Sequence, residues 1–174
     1  MIAFRHCDRR FPFLWESAHQ PPARWHAAGQ GPVQYLADTP DGAWAEFLRH
    51  EEIVDEVDLA GVSRAMWAVD VSESEFASPE LAEAVVTGPP DSYARCQEEA
   101  ERLRAQGATA LRAPSAALDA GAAAGWRVAE GLRRGEPRDG QTYVLFGARP
   151  AVLGWMVVGR GRPPAELLEQ VRHY

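Results

Sequence analysis

The chain has 174 residues, of which 46% are hydrophobic and 25% are charged, as expected for a single globular domain over residues 1–174. Its formal net charge of -7 argues against a nucleic-acid partner, because phosphate binding depends on a basic surface. The sequence has no lysine, so every fixed cation is an arginine, and catalysis through a lysine Schiff base is excluded.

The cysteines and the N-terminal segment indicate the cellular setting. Cys7 and Cys96 lie far apart without companion cysteines, so they predict neither a disulfide framework nor a zinc site. Residues 1–10 become charged almost at once and lack the apolar core of a signal peptide. No apolar run is long enough to cross a bilayer. We therefore expect a cytoplasmic protein that does not contact membranes.

The first part of the chain predicts two strands, a long loop and a helix. Residues 2–6 have the character of a short strand, and residues 7–31 follow as a loop rich in proline, tryptophan and arginine. Loops of this length are uncommon in compact domains and often carry function. Residues 32–37 predict a second strand. A threonine followed by proline then predicts a helix start, and the apolar spacing extends that helix over about residues 40–54.

The rest of the chain predicts further strands and two more helices. Strands are expected over residues 65–71, 109–112, 141–146 and 152–158, and helices over residues 92–106 and after Pro163-Pro164. The last two strands would form a hairpin-like pair, and we expect residues 152–158 in the core rather than at an interface. Because strands and helices mix without strict alternation, an α+β fold with a mixed sheet is favoured over a doubly wound sheet. Homo-oligomer formation stays open.

The common catalytic motifs are absent from the sequence. It contains no P-loop, no dinucleotide-binding glycine pattern and no nucleophile elbow. The five histidines lack the spacing of metal ligands, so no metal site is expected. Residues 49–52, Arg-His-Glu-Glu, indicate a solvated helix face.

What remains is a set of polar residues inside strands or next to them: Arg5, Arg24, Tyr35, Glu46 and Ser115. Each also has a purely structural interpretation. An arginine beside a tryptophan often stacks on it, and a strand tyrosine is usually a core residue. A glutamate on an amphipathic helix is usually solvated, and a Pro-Ser step usually forms a turn. Singly, these residues predict no function.

In order along the chain, however, these segments resemble the RES family. That family has an arginine on an early strand, a Gly-Gly-Arg-Trp-Asn element, a Pro-x-x-Tyr-Leu-Ala strand and a helix that carries a glutamate. Here the corresponding segments are Arg5, residues 23–26 (Ala-Arg-Trp-His), residues 32–37 (Pro-Val-Gln-Tyr-Leu-Ala) and residues 43–46 (Ala-Trp-Ala-Glu). Cys96-Gln97 and Pro114-Ser115-Ala116 are similar to later family elements. The resemblance ends near Ala117.

The resemblance implies an ADP-ribosyltransferase-like fold and an enzyme that breaks the bond between nicotinamide and ribose in NAD⁺. The acceptor would be water or inorganic phosphate, with no cofactor, and many members are toxins held by a partner antitoxin. The catalytic residues would be Glu46, Arg24 and Ser115. The substrate-binding residues would be Arg5, Arg24, Trp25, His26, Tyr35 and Ser115.

The chemistry of these side chains suits NAD⁺. Arg5 and Arg24 have the forked donors that meet phosphate oxygens, and Tyr35 could stack on nicotinamide or bond the ribose. Ser115 could hold the ribose or the amide. Glu46 would stabilise the positive charge that develops on the ribose.

Two departures from the family pattern leave alternatives open. Pro22-Ala23 replaces the glycine pair, and His26 replaces the asparagine, so the loop could be placed differently. A non-catalytic nucleotide-binding domain is one alternative. An ADP-ribosyltransferase and a biosynthetic enzyme that consumes NAD⁺ are the others.

Overall fold

The computed structural model describes residues 1–73 and 75–174, and it has the α+β architecture that the sequence predicts. The strands within these residues are β1 (Ile2–Cys7), β2 (Val33–Ala37), β3 (Arg64–Asp70), β4 (Ala110–Pro114), β5 (Trp126–Val128), β6 (Leu132–Arg134), β7 (Gln141–Phe146) and β8 (Gly154–Gly161). The α-helices are α1 (Pro40–His50), α2 (Glu83–Val86) and α3 (Tyr93–Ala105), and 3₁₀ helices cover Glu56–Gly61, Pro90–Ser92 and Ala165–Gln170.

The main sheet has six strands in the order β4-β7-β2-β1-β3-β8, and all neighbours are antiparallel, in contrast to the mixed sheet that the sequence pattern favours. β1 pairs with β3 along its whole length. β1 and β2, in contrast, share only the register pair Phe4 with Ala37. The sheet therefore splits between β1 and β2 beyond Phe4, and β5 and β6 form a separate two-stranded hairpin.

Helix α1 begins where the threonine-proline step predicts. The Thr39 hydroxyl accepts a hydrogen bond from the Gly42 backbone N–H at 2.9 Å, which satisfies a free donor of the first turn. The helix ends at His50, four residues before the predicted end, because Glu52 adopts a φ of 53°. The Ile53 N–H then bonds back to the Leu48 carbonyl and closes the last turn.

Both faces of the sheet are covered near its centre. On β7, Val144 packs against residues of α3, whereas Leu145 points to the opposite face, as strand alternation requires. Helices α1 and α3 cover one face. The other face is covered by loop side chains such as Phe13 and Val152. Among the described residues, those that pack on this second face belong to strands and loops.

The expectation that the last two strands form a hairpin is wrong. β7 lies in the middle of the sheet between β4 and β2, whereas β8 is an edge strand beside β3. Residues 147–153 cross about 19 Å, a distance that an extended segment of this length can cover. Register shifts between β3 and β8 also show that the edge strand is bulged.

The expectation that residues 152–158 belong to the core is also wrong. Trp155 is 52% exposed and Val157 is 53% exposed, because no element of the described chain covers β8. The final predicted helix is a single 3₁₀ segment, Ala165–Gln170. Its Leu167 is buried and packs under α1.

Candidate active site at the split in the sheet

An open cleft of about 910 Å³ occupies the split between β1 and β2. Its walls are the diverging halves of these two strands, one face of α1 and the loop that joins β1 to β2. A volume of this size is typical of sites for small-molecule ligands, which measure roughly 300–1,000 Å³. The cleft therefore brings the early strand, the loop and the helix of the sequence pattern together.

Glu46 is the carboxylate of α1 that faces this cleft. It is half-buried, and one of its oxygens accepts a hydrogen bond from the Thr142 hydroxyl on β7 at 3.4 Å. Burial raises the pKa of the Glu46 carboxyl above its usual 4.5, while the charges of Arg24 and Arg49 act in the opposite direction. A cationic ligand beside Glu46 would favour its ionised form.

Arg24 also lines the cleft, but its guanidinium is largely engaged by the protein. Its Nη1 donates to the Val85 carbonyl at 3.3 Å and to the Ser92 hydroxyl at 3.1 Å, and its Nη2 donates to the Gly88 carbonyl at 2.8 Å. The guanidinium lies 4.6 Å from the centre of the Tyr93 ring. Arg24 thus ties the loop after β1 to the segment between α2 and α3.

Arg49 makes a similar set of bonds, and its predicted place on a solvated helix face is wrong. The side chain is 3% exposed and donates to the carbonyls of Thr87 at 3.2 Å, Gly88 at 2.9 Å and Ala116. It also lies 4.4 Å from the centre of the Tyr174 ring. Two arginines therefore hold the same Gly88 carbonyl beside the cleft.

A closed hydrogen-bond network fixes Tyr35 on β2. The Nε2–H of His26 donates to the Pro21 carbonyl at 2.9 Å, so in the neutral ring Nδ1 is left to accept a bond from the Tyr35 hydroxyl, also at 2.9 Å. The Tyr35 oxygen in turn accepts from the Trp25 N–H at 3.0 Å. Burial lowers the pKa of His26 and raises that of Tyr35, so both groups are neutral in this network.

The Arg24-Trp25 step is the centre of a tight turn between Ala23 and His26. These two residues exchange backbone hydrogen bonds at 3.0 and 3.2 Å. From α3, the Gln97 amide donates to both of their carbonyls, at 2.9 and 3.2 Å. The turn therefore forms without the paired glycines, because Gln97 and the His26 ring hold it.

Arg5 reaches across the split from β1. Its Nη1 donates at 3.2 Å to Oε1 of Gln34, a fully buried residue of β2 that also bonds both backbone groups of Trp15. Burial lowers the pKa of Arg5 to about 10, which leaves it charged at neutral pH. Gln34 was not among the predicted site residues, although a polar residue on a strand that is buried on both faces is a usable signal.

Ser115 lies next to the cleft rather than on its wall. Its hydroxyl accepts hydrogen bonds from the Ala117 N–H at 3.2 Å and the Leu118 N–H at 3.1 Å, so it stabilises the turn after β4. The neighbouring Pro114 and Ala116 do line the cleft. The Ser115 hydroxyl hydrogen is still available as a donor.

Comparisons with known proteins bear on the family and the fold of this chain. The RES domain family matches residues 2–163, which is most of the chain. The chain belongs to the RES family. Its fold is similar to that of a chain in the crystal structure of the M. tuberculosis MbcT-MbcA toxin-antitoxin complex, with a TM-score of 0.57 and 14% sequence identity over 97% of this chain and 86% of that chain. A search of curated protein sequences finds no match.

In this RES domain, four of the five polar residues of the sequence pattern line one cleft: Arg5, Arg24, Tyr35 and Glu46. Trp25 contributes to the wall as well, whereas the His26 ring lies behind it as a support for Tyr35. Within residues 1–73 and 75–174, no group of three or more His, Cys, Asp or Glu side chains is placed to hold a metal ion. The same residues contain no helix that could span a membrane.

Proposed function

We propose that this RES domain cleaves the bond between nicotinamide and ribose in NAD⁺, with water or inorganic phosphate as the acceptor. The single observation that carries the proposal is a half-buried carboxylate, Glu46, on the wall of a cleft that also contains several arginines. NAD⁺ matches that combination because it has a cationic ring at one end and a pyrophosphate in the middle. Membership of the RES family supports the proposal.

Cleavage of this bond requires one negative charge beside the ribose. As the glycosidic bond lengthens, positive charge develops on the ribose, and a carboxylate aimed at it lowers the barrier. Nicotinamide leaves as a neutral molecule, so the reaction needs no general acid. Glu46 fits the role because Thr142 orients it and because the cleft limits its contact with water.

We expect the protonation state of Glu46 to change when the substrate binds. Its raised pKa means that the carboxyl of the free protein takes up a proton more readily than an ordinary glutamate. The cationic nicotinamide ring favours the ionised form once it is bound. We therefore expect kcat/KM to fall on the acid side with a midpoint above 4.5, since only the ionised carboxylate assists the reaction.

We also propose that the protein is the toxin of a toxin–antitoxin pair, with an antitoxin protein as its partner. The support is the fold that it shares with a chain of the MbcT-MbcA toxin-antitoxin complex, together with the RES family match. Loss of cellular NAD⁺ would be the cause of growth arrest. Expression of the wild-type chain and of a Glu46→Gln variant would separate that cause from mere overproduction.

The decisive experiment is incubation of the purified protein with NAD⁺, with and without inorganic phosphate, followed by separation of the products. ADP-ribose identifies hydrolysis, and ADP-ribose 1″-phosphate identifies phosphorolysis. Glu46→Gln should lower kcat by about 100-fold or more, because it removes the charge that stabilises the transition state. Glu98→Gln, at an exposed position of α3, is the matched control and should leave kcat unchanged.

Intact NAD⁺ after incubation with the folded wild-type protein would contradict the proposed reaction. Near-normal turnover by Glu46→Gln would remove the role of this residue while leaving the reaction in place. A stable ADP-ribose adduct on an added protein, detected by mass spectrometry, would instead identify a transferase.

A further inference from the structure

Four arginines line the cleft, and they differ in what their guanidinium groups bond: Arg5, Arg24, Arg49 and Arg64. Arg24 and Arg49 donate from both Nη atoms to protein oxygens, and Arg5 donates from one. Arg64 donates only from Nε; within the described chain its two Nη atoms take part in no hydrogen bond and no salt bridge. Arg64 therefore has a free pair of donors at the cleft.

The side chain of Arg64 is nevertheless held in place. Its Nε donates to Nδ1 of His6 at 3.1 Å, and its guanidinium lies 5.0 Å from the centre of the Phe47 ring. His6 is itself packed between Trp44 and Phe47, with ring centroids 6.2 and 5.2 Å away. A planar group fixed along its Nε edge presents its Nη donors in a constant direction, which is the geometry that binds phosphate oxygens.

The His6 ring that holds Arg64 is uncharged. Burial, together with smaller contributions from Arg64, Arg5 and His50, lowers the pKa of His6 to about 3. The ring is therefore neutral at physiological pH, so its Nδ1 accepts the Arg64 bond and adds no positive charge. Within the described residues, no carboxylate forms a salt bridge with the Arg64 guanidinium.

The nearby acidic residue does not neutralise Arg64. Asp8 is engaged by Arg10, which donates to both of its carboxylate oxygens at distances between 2.7 and 3.2 Å. Arg64 contributes only a minor part of the lowered pKa of Asp8, and the main cause is the bond from Arg10. An unpaired, oriented guanidinium on a cleft wall has the charge and the donor geometry that an anion requires.

We propose that Arg64 binds a phosphate group of the dinucleotide substrate, an inference that rests on the function proposed above. Glu46 bonds Thr142 on β7, whereas Arg64 belongs to β3, and β2 and β1 lie between these two strands in the sheet. Arg64 therefore lies in a different part of the cleft from the reacting carboxylate. A phosphate that attacks the ribose must approach Glu46, so the pyrophosphate of the substrate is the better match for Arg64.

The first test measures binding without catalysis. Calorimetric titration with inorganic pyrophosphate and with ADP-ribose should show affinity for the wild-type protein that falls about 10-fold or more in Arg64→Gln. Arg64→Lys keeps the charge but not the fork and should lose part of that affinity. Arg160→Gln, at an exposed position of β8, changes the net charge equally and should bind as the wild type does.

The second test uses two substrates that differ in phosphate. Arg64→Gln should raise KM for NAD⁺ about 10-fold and leave the cleavage of nicotinamide riboside, which has no phosphate, unchanged. A change confined to KM for inorganic phosphate would assign Arg64 to the free anion and overturn the proposal. Equal pyrophosphate and ADP-ribose affinities in Arg64→Gln and wild type would overturn it as well.

The two proposals fail in different ways. Loss of pyrophosphate affinity in Arg64→Gln, in a protein that leaves NAD⁺ intact, would support the anion site and remove the proposed reaction. Wild-type pyrophosphate affinity in Arg64→Gln, in a protein that cleaves NAD⁺, would do the reverse. Thermal unfolding of Arg64→Gln and Arg64→Lys checks that both variants are folded, since the fold loses one hydrogen bond at most.

Discussion

The two pairs of arginines in the cleft use the same side chain for different purposes. Arg24 and Arg49 give their Nη donors to backbone carbonyls, and both bond the carbonyl of Gly88. Arg5 and Arg64 are fixed by one bond each, to Gln34 and His6, and keep other donors free. The first pair joins the loop after β1 and helix α1 to the residues from α2 to α3 and to the turn after β4, and the second pair is available to a ligand.

An arginine in a cleft can therefore contact a ligand only through the donors that the protein leaves unused. A buried carbonyl that loses its donor costs about 1–3 kcal/mol, so the first pair should affect stability before it affects binding. The second pair should do the opposite. Substitutions of these residues test this division.

Arg49→Ala should have the largest effect on stability. It removes the Arg49 donors from the carbonyls of Thr87 and Ala116 and one of the two arginine donors from that of Gly88, and it leaves a space under Tyr174. We expect the free energy of unfolding to fall by about 3 kcal/mol, measured by urea denaturation. Arg160→Ala, at an exposed position, should change it by less than about 0.5 kcal/mol. A loss of under about 1 kcal/mol in Arg49→Ala would place Arg49 with the second pair.

The burial of Arg49 could not be predicted from the sequence pattern. Helical spacing predicts which face of α1 packs on the sheet through Trp44 and Leu48, because that face is set by local periodicity. Arg49 is covered instead by the segment after α2, the turn after β4 and the C-terminal tyrosine. These segments are distant in the sequence, and only tertiary structure brings them over the helix.

The sheet shows the same limit at the level of strands. Apolar character and turn residues predict that β7 and β8 are strands, but they do not predict the partners of either strand. β7 pairs with β2 and β4, and β8 leaves its apolar residues exposed at the edge. A run of hydrophobic residues therefore does not distinguish a central strand from an exposed edge strand.

The site was more predictable than the sheet, because the order of motif residues along the chain does not depend on strand pairing. Arg5, Arg24, Tyr35 and Glu46 lie on separate elements and still line one cleft. The supporting residues were not predicted. Gln34 and Thr142 are polar residues of ordinary strands, and only their positions in space relate them to Arg5 and Glu46.

Arg24→Ala should have the second-largest effect. The loss of donors to Val85, Gly88 and Ser92 should lower the free energy of unfolding by about 2 kcal/mol, again measured in urea. NAD⁺ affinity should fall as well, because the turn that carries Trp25 loses its anchor. Arg95→Ala, at an exposed position of α3, is the matched control. Wild-type stability combined with lost NAD⁺ affinity would show that Arg24 acts as a ligand contact and would break the division between the two pairs.

The smallest expected effect is a pH-dependent change in stability that comes from His6, the residue that supports Arg64. Because the pKa of His6 is lowered to about 3 from 6.5, the folded protein disfavours its protonation. The stability that this neutral ring contributes is present above pH 6.5 and is lost as the pH falls toward 3.

Between pH 7 and about pH 5.7, we expect the wild-type protein to lose about 1 kcal/mol that a His6→Gln variant does not lose, measured by urea denaturation at each pH. His19→Gln, at an exposed loop position, should follow the wild type. Protonation of His6 would also remove the acceptor of the Arg64 bond and add a charge beside it. A pH dependence of His6→Gln equal to that of the wild type would mean that His6 takes up a proton without cost, and Arg64 would then lack the neutral support that fixes its free donors.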